Sequence, residues 1–211
     1  MKVIIFDFDG TIADSFEAVW KISNKLAAEF GYPVTQADDI NQLKNLSSKE
    51  IIKQSKLSPF KIPFLVRRLR KELYRELPHL QTFPGMEAVL RSLKQQGNCL
   101  GIVTSNSREN VQAFLNAQNL LDIFDFVESG LALFGKDKVI RRVVKRQRLN
   151  LADLVYVGDE TRDIEAARKL GIPIISVTWG FNSSQALAAE NPDFLINQPE
   201  ELLQAAKTNG E

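Results

Sequence analysis

Cysteine and histidine are almost missing from this sequence. Cys99 is the single cysteine among 211 residues, so no internal disulfide can form. A reducing compartment, the cytoplasm, is expected. Cys99 falls in an apolar stretch and reads as packing, and His79, the single histidine, reads as a surface residue. Excess charge of either sign is missing too: 27 Lys and Arg stand against 26 Asp and Glu. That balance argues against a pull toward nucleic acid or an anionic membrane. No apolar run approaches the ~20 residues that span a bilayer. A strand pattern begins almost at the N-terminus, so no signal peptide is expected. No internal repeat or low-complexity tract occurs. The first strand lacks Gly-x-Gly-x-x-Gly, which removes a dinucleotide-binding domain. What is left, 44% hydrophobic and 25% charged residues, is ordinary for a globular protein with one large domain or two small ones. A monomer or homodimer is expected.

Residues 3–11, Val-Ile-Ile-Phe-Asp-Phe-Asp-Gly-Thr, are the most informative stretch. Val3, Ile4 and Ile5 form an apolar run, the mark of a strand buried on both faces, and a strand is expected over residues 2–8. Asp7 and Asp9 break the run. Strand side chains two apart point the same way, so two carboxylates converge at the C-terminal end, where Gly10 stops the extended segment. In an open α/β sheet ligands sit at that end. Paired carboxylates there repel and resist desolvation unless a cation or a shared proton compensates. Two surface aspartates in an Asp-Gly turn are the bland alternative, and Phe6 and Phe8, which want burial, argue against it.

The remaining chain divides by pattern. Phe16, Val19, Ile22, Leu26 and Phe30 recur at helical spacing, predicting a helix over 14–30, stopped by Gly31 and Pro33. A short helix is expected over 38–46, capped by Thr35 or Asp38. Ser47 and Glu50 form a capping box that starts another. A helix over 64–77 carries Arg67, Arg68, Arg70, Lys71 and Arg75. Those cations read as a solvated face or, through Arg67 and Arg68, as a lid surface that attracts an anionic substrate. No strand is expected between 14 and 81. From Phe83 onward helices and strands alternate, with strands over 99–103, 126–128, 154–157, 174–177 and 194–196. Such alternation predicts an α/β fold, a doubly wound parallel sheet, with a small helical cap inserted after the first strand. The expected core is 1–13 plus 83–211, the cap is 14–82, and hinges lie near Asp14 and near Pro84 and Gly85.

If this topology holds, Asp7, Asp9, Thr104, Lys136 and Asp159 gather at the strand ends, with Glu160 and Asp163 just behind. Acidic side chains offering hard oxygens point to Mg²⁺, which is commonly held by carboxylates, waters and a substrate phosphate. A hydroxyl and an ammonium opposite the metal suit the oxygens of a phosphoryl group. Lys138 competes with Lys136 for that place. Thr104 has a second reading as a turn cap, Asp163 as a helix N-terminal acid, and Glu160 as a solvated charge.

These residues carry a resemblance. Asp7-Phe8-Asp9-Gly10-Thr11 resembles the first motif of the haloacid dehalogenase superfamily, Thr104 the second, Lys136 the third, and the stretch from Gly158 through Asp163 the fourth. The insertion resembles the helical cap of phosphoglycolate phosphatase, β-phosphoglucomutase and their relatives. The resemblance implies that Asp7 attacks phosphorus and Asp9 acts as general acid and base. It implies that Mg²⁺ is held by the side chains of Asp7 and Asp159 and the Asp9 carbonyl. Thr104, Ser105 and Lys136 would bind the phosphoryl oxygens, with Gly10 and Asp163 in support. The expected activity is hydrolysis of a small phosphorylated metabolite, a phosphomonoester. A sugar phosphomutase, a pyrophosphatase and a phospho-accepting receiver domain are the alternatives. Receivers are typically far shorter and have no helical insertion. Asn45 stands where relatives often carry a glycine before a cap helix, which weakens transfer of a named substrate.

Overall fold

The computed structural model describes residues 2–130 and 135–208, so the extreme ends of the expected core and residues 131–134 lie outside the described residues. The first strand, β1, is Val3–Phe6, shorter than the expected 2–8. The chain leaves the ladder at Asp7, whose amide still donates to the Val157 carbonyl at 2.8 Å. Four helices follow: α1 (Phe16–Phe30), α2 (Ile40–Leu43), α3 (Ser48–Gln54) and α4 (Ile62–Glu76). Gly31 ends α1 in a left-handed conformation, and the Ser47–Glu50 capping box opens α3. The helix expected over 38–46 is instead a 3₁₀ turn at Ala37–Asp39 running into α2, and neither start has a side-chain cap.

The remainder alternates: α5 (Met86–Gln95), β2 (Cys99–Thr104), α6 (Arg108–Ala117), β3 (Phe126–Ser129), α7 (Lys136–Gln147), β4 (Leu154–Gly158), α8 (Thr161–Leu170), β5 (Ile174–Val177), α9 (Ser184–Ala189), β6 (Phe194–Ile196) and α10 (Leu202–Thr208). The strands form one sheet in the order β3-β2-β1-β4-β5-β6, and all pairs are parallel. Strand alternation divides its side chains between two cores. Ile4, Phe6, Leu100, Ile102, Val155 and Val157 pack with α5, α6 and α10. Val3, Ile5, Val103, Leu154 and Tyr156 pack with α7, α8 and α9 on the opposite face. Helices on both faces make the sheet doubly wound, with β1 flanked by β2 and β4, the place where the winding reverses and ligand crevices form.

The helices of the 14–82 segment attach through paired connections. The Asp14 amide donates to the Gln81 carbonyl at 2.9 Å, and the Phe83 amide to the Ile12 carbonyl at 3.2 Å. Their apolar residues Ile22, Leu26, Phe30, Ile62, Leu73 and Leu77 belong to the same continuous core as the first sheet face. Between α1 and α4 lies a buried acid, Glu72, 4% exposed. It accepts from Lys25 at 3.0 Å, Arg68 at 2.6 Å and Arg75 at 3.1 Å. The Lys25 hydrogen bond above all, helped by the two arginines and opposed by burial, holds its carboxyl down to about 2 from an ordinary 4.5. A depressed carboxyl stabilises the fold above its unfolded pKa, and that contribution is lost as pH falls from about 4.5 through about 2. We expect Glu72→Gln to lower the thermal midpoint at neutral pH, and the gap from the parent protein to narrow below pH 4.5; a constant gap in acid melts would remove Glu72 from this role.

Candidate active site

The C-terminal ends of β1, β2 and β4 deliver Asp7, Thr104 and Asp159 to one place, and the start of α7 adds Lys136. The Lys136 ammonium bridges two carboxylates, lying 2.6 Å from Asp7 Oδ2 and against Asp163 Oδ1. Burial alone would lower its pKa, but Asp163 and Asp7 more than reverse that and hold it well above its ordinary value. Lys138 is exposed while Lys136 is 3% exposed, so of the two lysines only Lys136 faces the site. Tyr156 floors it, its ring 5.1 Å from the ammonium and its hydroxyl donating to the Val103 carbonyl.

Asp159 is fully buried. Its Oδ1 accepts from the Thr11 hydroxyl at 2.6 Å and its Oδ2 from the Phe181 amide at 2.8 Å. Backbone approaches it closely: a Cβ on Gly10 or Gly180 would lie 2.3 or 2.2 Å from Oδ2. Burial first, then the charges of Glu160, Asp7 and Asp163, push its carboxyl well above the usual range. Burial likewise raises Asp163 to about 6 against the pull of Lys136. Asp7, Asp159 and Asp163 each offer an oxygen within 4.8 Å of the others, a donor set suited to a divalent cation. Asp9 supplies no carboxylate to this group. Its side chain turns to Asn106, whose Nδ2 donates at 3.0 Å. Burial, then the Asp7 charge, raises it to about 6. The two acids thus reach the same end of the sheet with their side chains on different partners: β1 stops before Asp7, and Asp9 precedes the turn at Gly10 (φ 77°).

Thr104 is buried and its hydroxyl oxygen accepts the Asn106 amide at 2.9 Å. The turn-capping reading is thus realised, and the hydroxyl keeps its own proton to donate. Ser105 follows at the rim, its carbonyl accepting from Arg70.

Comparison with known proteins places this geometry. Residues 4–177 match the family described as haloacid dehalogenase-like hydrolase. A Synechococcus elongatus protein named phosphoglycolate phosphatase is 44% identical over 205 residues, 97% of each chain. This chain belongs to the haloacid dehalogenase-like hydrolase family. It is a phosphatase of that family, and the receiver-type reading is not favoured. Phosphoglycolate phosphatase from Vibrio parahaemolyticus is 25% identical over 219 residues, covering 97% of this chain and 95% of its own. The fold is shared with a solved structure described as a predicted phosphatase from Clostridium acetobutylicum, TM-score 0.85, 24% identity, 98% of both chains.

In this hydrolase the helices of the 14–82 segment and the loops after the strands line a cavity of about 350 Å³, with Asp9, Ser105 and Asn106 on its wall. Polar contacts join its two sides. Asn182 Nδ2 donates to the carbonyls of Lys44 and Leu46, both at 2.9 Å, and Ser48 donates to Glu160 at 2.7 Å. Glu160, expected as a solvated charge, is instead a half-buried partner of Ser48 and Arg162. Asn45 sits in the same latch with an ordinary negative φ, so the position has no need of glycine. The lid-surface reading picked the wrong arginines. Arg68 faces Glu29 and Glu72, and Arg67 does not line this cavity, whereas Arg70 does. Helical spacing fixes which face a residue occupies but not which face meets the sheet.

Sequence reading also passed over Thr11, Asn106 and Asn182. Each is a short polar residue inside a turn-forming stretch, where the same composition serves ordinary loops. Thr11 donates directly to an expected metal ligand, and such outer partners tune metal affinity about 10- to 100-fold. Thr11→Val should raise the divalent-metal concentration that half-activates the enzyme by about tenfold or more; an unchanged metal titration would reduce Thr11 to packing.

Proposed function

We propose that this hydrolase is a cytoplasmic, Mg²⁺-dependent enzyme that removes the phosphoryl group from 2-phosphoglycolate by way of an aspartyl-phosphate. The main support is the meeting of Asp7, Lys136 and the Asp159–Asp163 pair beneath a cavity whose wall includes Asp9. The relative named phosphoglycolate phosphatase, similar over nearly the whole chain, supports the substrate. Residues 14–82 act as the cap over a core made of 1–13 and 83–211.

The donors fit Mg²⁺: they are hard oxygens, buried, and in excess over the Lys136 ammonium and the Arg162 guanidinium that act on them. The Asp7 and Asp159 side chains and the Asp9 carbonyl would hold the ion, which would neutralise charge on the phosphoryl oxygens. An Asp7 oxygen attacks phosphorus as the ester bond to the leaving oxygen breaks, and Asp9 gives that oxygen its proton. Asp9, now ionised, takes a proton from water, and the water oxygen displaces Asp7 from phosphorus. A carboxyl raised to about 6 is suited to giving and taking a proton near neutrality. Asn106 aims it. The Lys136 ammonium and the Thr104 hydroxyl, with the Ser105 amide, bind the equatorial oxygens, on which negative charge gathers in the transition state.

The test is phosphate release from 2-phosphoglycolate with Mg²⁺. Asp7→Asn should abolish it, chelation should abolish it reversibly, and Asp9→Asn should stop turnover while leaving Mg²⁺ binding largely intact. Full activity in Asp7→Asn would refute the nucleophile, and loss of metal binding with normal turnover at saturating Mg²⁺ would refute the role of Asp9.

A further inference from the structure

The cavity wall is mainly apolar, with Phe16, Val19, Trp20, Leu43, Ile52 and Leu69 among its residues. Its charged residues are few. Glu160 and Arg162 pair with each other, and Asp9 is held by Asn106. Two further cations line it, Lys44 after α2 in the field of Asp159 and Asp14, and Arg70 on α4 in the field of Asp9 and Glu109, both half-buried. Neither forms a carboxylate salt bridge among the described residues. Other cations of the 14–82 segment do: Lys25, Arg68 and Arg75 with Glu72, and Lys49 with Glu165.

Arg70 donates from Nη2 to the Ser105 carbonyl, yet its buried Nε meets no acceptor among the described residues. Lys44 Nζ lies 3.0 Å from the Gly180 carbonyl and 4.2 Å above the Phe16 ring. A buried donor without a partner costs about 1–3 kcal/mol, more when charged. A ligand anion in the cavity would offer the Arg70 guanidinium and the Lys44 ammonium an acceptor beyond the carbonyls they now hold. The transferred phosphoryl group is already provided for by Lys136 and Thr104, so this anion is a second one on the same substrate.

We infer that Arg70 and Lys44 select phosphomonoesters that carry a carboxylate, and hold that carboxylate opposite the phosphoryl group. The planar guanidinium fork matches two carboxylate oxygens, which a rounder ammonium does not. Arg70 is tethered to Ser105, the residue directly after Thr104, so the carboxylate it holds must lie a short spacer from phosphorus. This rests on the phosphatase reading above and adds the residues that choose the substrate.

The experiment is calorimetric binding of two non-hydrolysable ligands to the full chain with Mg²⁺: 3-phosphonopropionate, which carries the carboxylate, and propylphosphonate, which does not. The parent protein should favour the first by at least about tenfold. Arg70→Gln and Lys44→Gln should each shrink that ratio, and Arg70→Lys should recover part of it. A purely structural role would weaken both ligands alike and leave the ratio untouched. A ratio near one in the parent protein, or one unmoved in both variants, overturns the inference. A preserved preference in a protein that releases no phosphate from 2-phosphoglycolate upholds it and refutes 2-phosphoglycolate as the substrate instead.

Discussion

The Lys136 ammonium held between Asp7 and Asp163 is the contact on which the site depends. Both carboxylates and the ammonium are at most 3% exposed. Burying charge is costly, and a buried pair is often no more stable than well-packed apolar residues of the same volume. Removing one member is another matter: the charge left behind costs about 3–5 kcal/mol. Whole domains are stable by only about 5–15 kcal/mol. Stability alone therefore does not account for collecting Asp7, Asp159 and Asp163 around Lys136 and Arg162; a pocket of such charge suits the divalent ion proposed above, which would in turn attract a phosphoryl group.

Sheet topology decides where that cost is borne. β1 lies between β2 and β4, so the last residues of three strands face one crevice without any long loop. Parallel register carries Asp7 past the end of β1 while its amide still pairs with β4. The scaffold's most regular part thus positions Asp7, and its less regular turns aim Asp9 and Asp159. Gly10 and Gly180 leave room for the Asp159 carboxylate where any Cβ would collide with it.

Much of this was legible in the sequence, for definable reasons. Both-face burial wrote apolar runs into the strands, and helical spacing wrote the helices. The parallel sense of the strands followed from strand–helix alternation, whereas their order appears only in the structure. The acids of the first and fourth motifs stood out because charge is rare at the end of a buried strand. What stayed hidden depends on long-range meeting. Nothing near Asn106 in the chain says that it will hold Asp9 from 97 residues away. Arg70 is one of several arginines on its helix, and only the docking of α4 against β2's end separates it from Arg68. The short helix expected over 38–46 was cut because Lys44 and Leu46 spend their carbonyls on Asn182 rather than on another helical turn.

That last exchange links the two halves of the molecule. Asn182 gives to two carbonyls of the helical segment, while its own Oδ1 accepts the Thr161 amide at 2.9 Å. Its amide in turn donates to the Asp159 carbonyl at 3.2 Å. One side chain therefore ties the loop carrying Lys44 to the start of α8 and to the backbone of a carboxylate in the acidic cluster. Because each bond is buried or half-buried, breaking the latch would leave several polar groups unpaired at once.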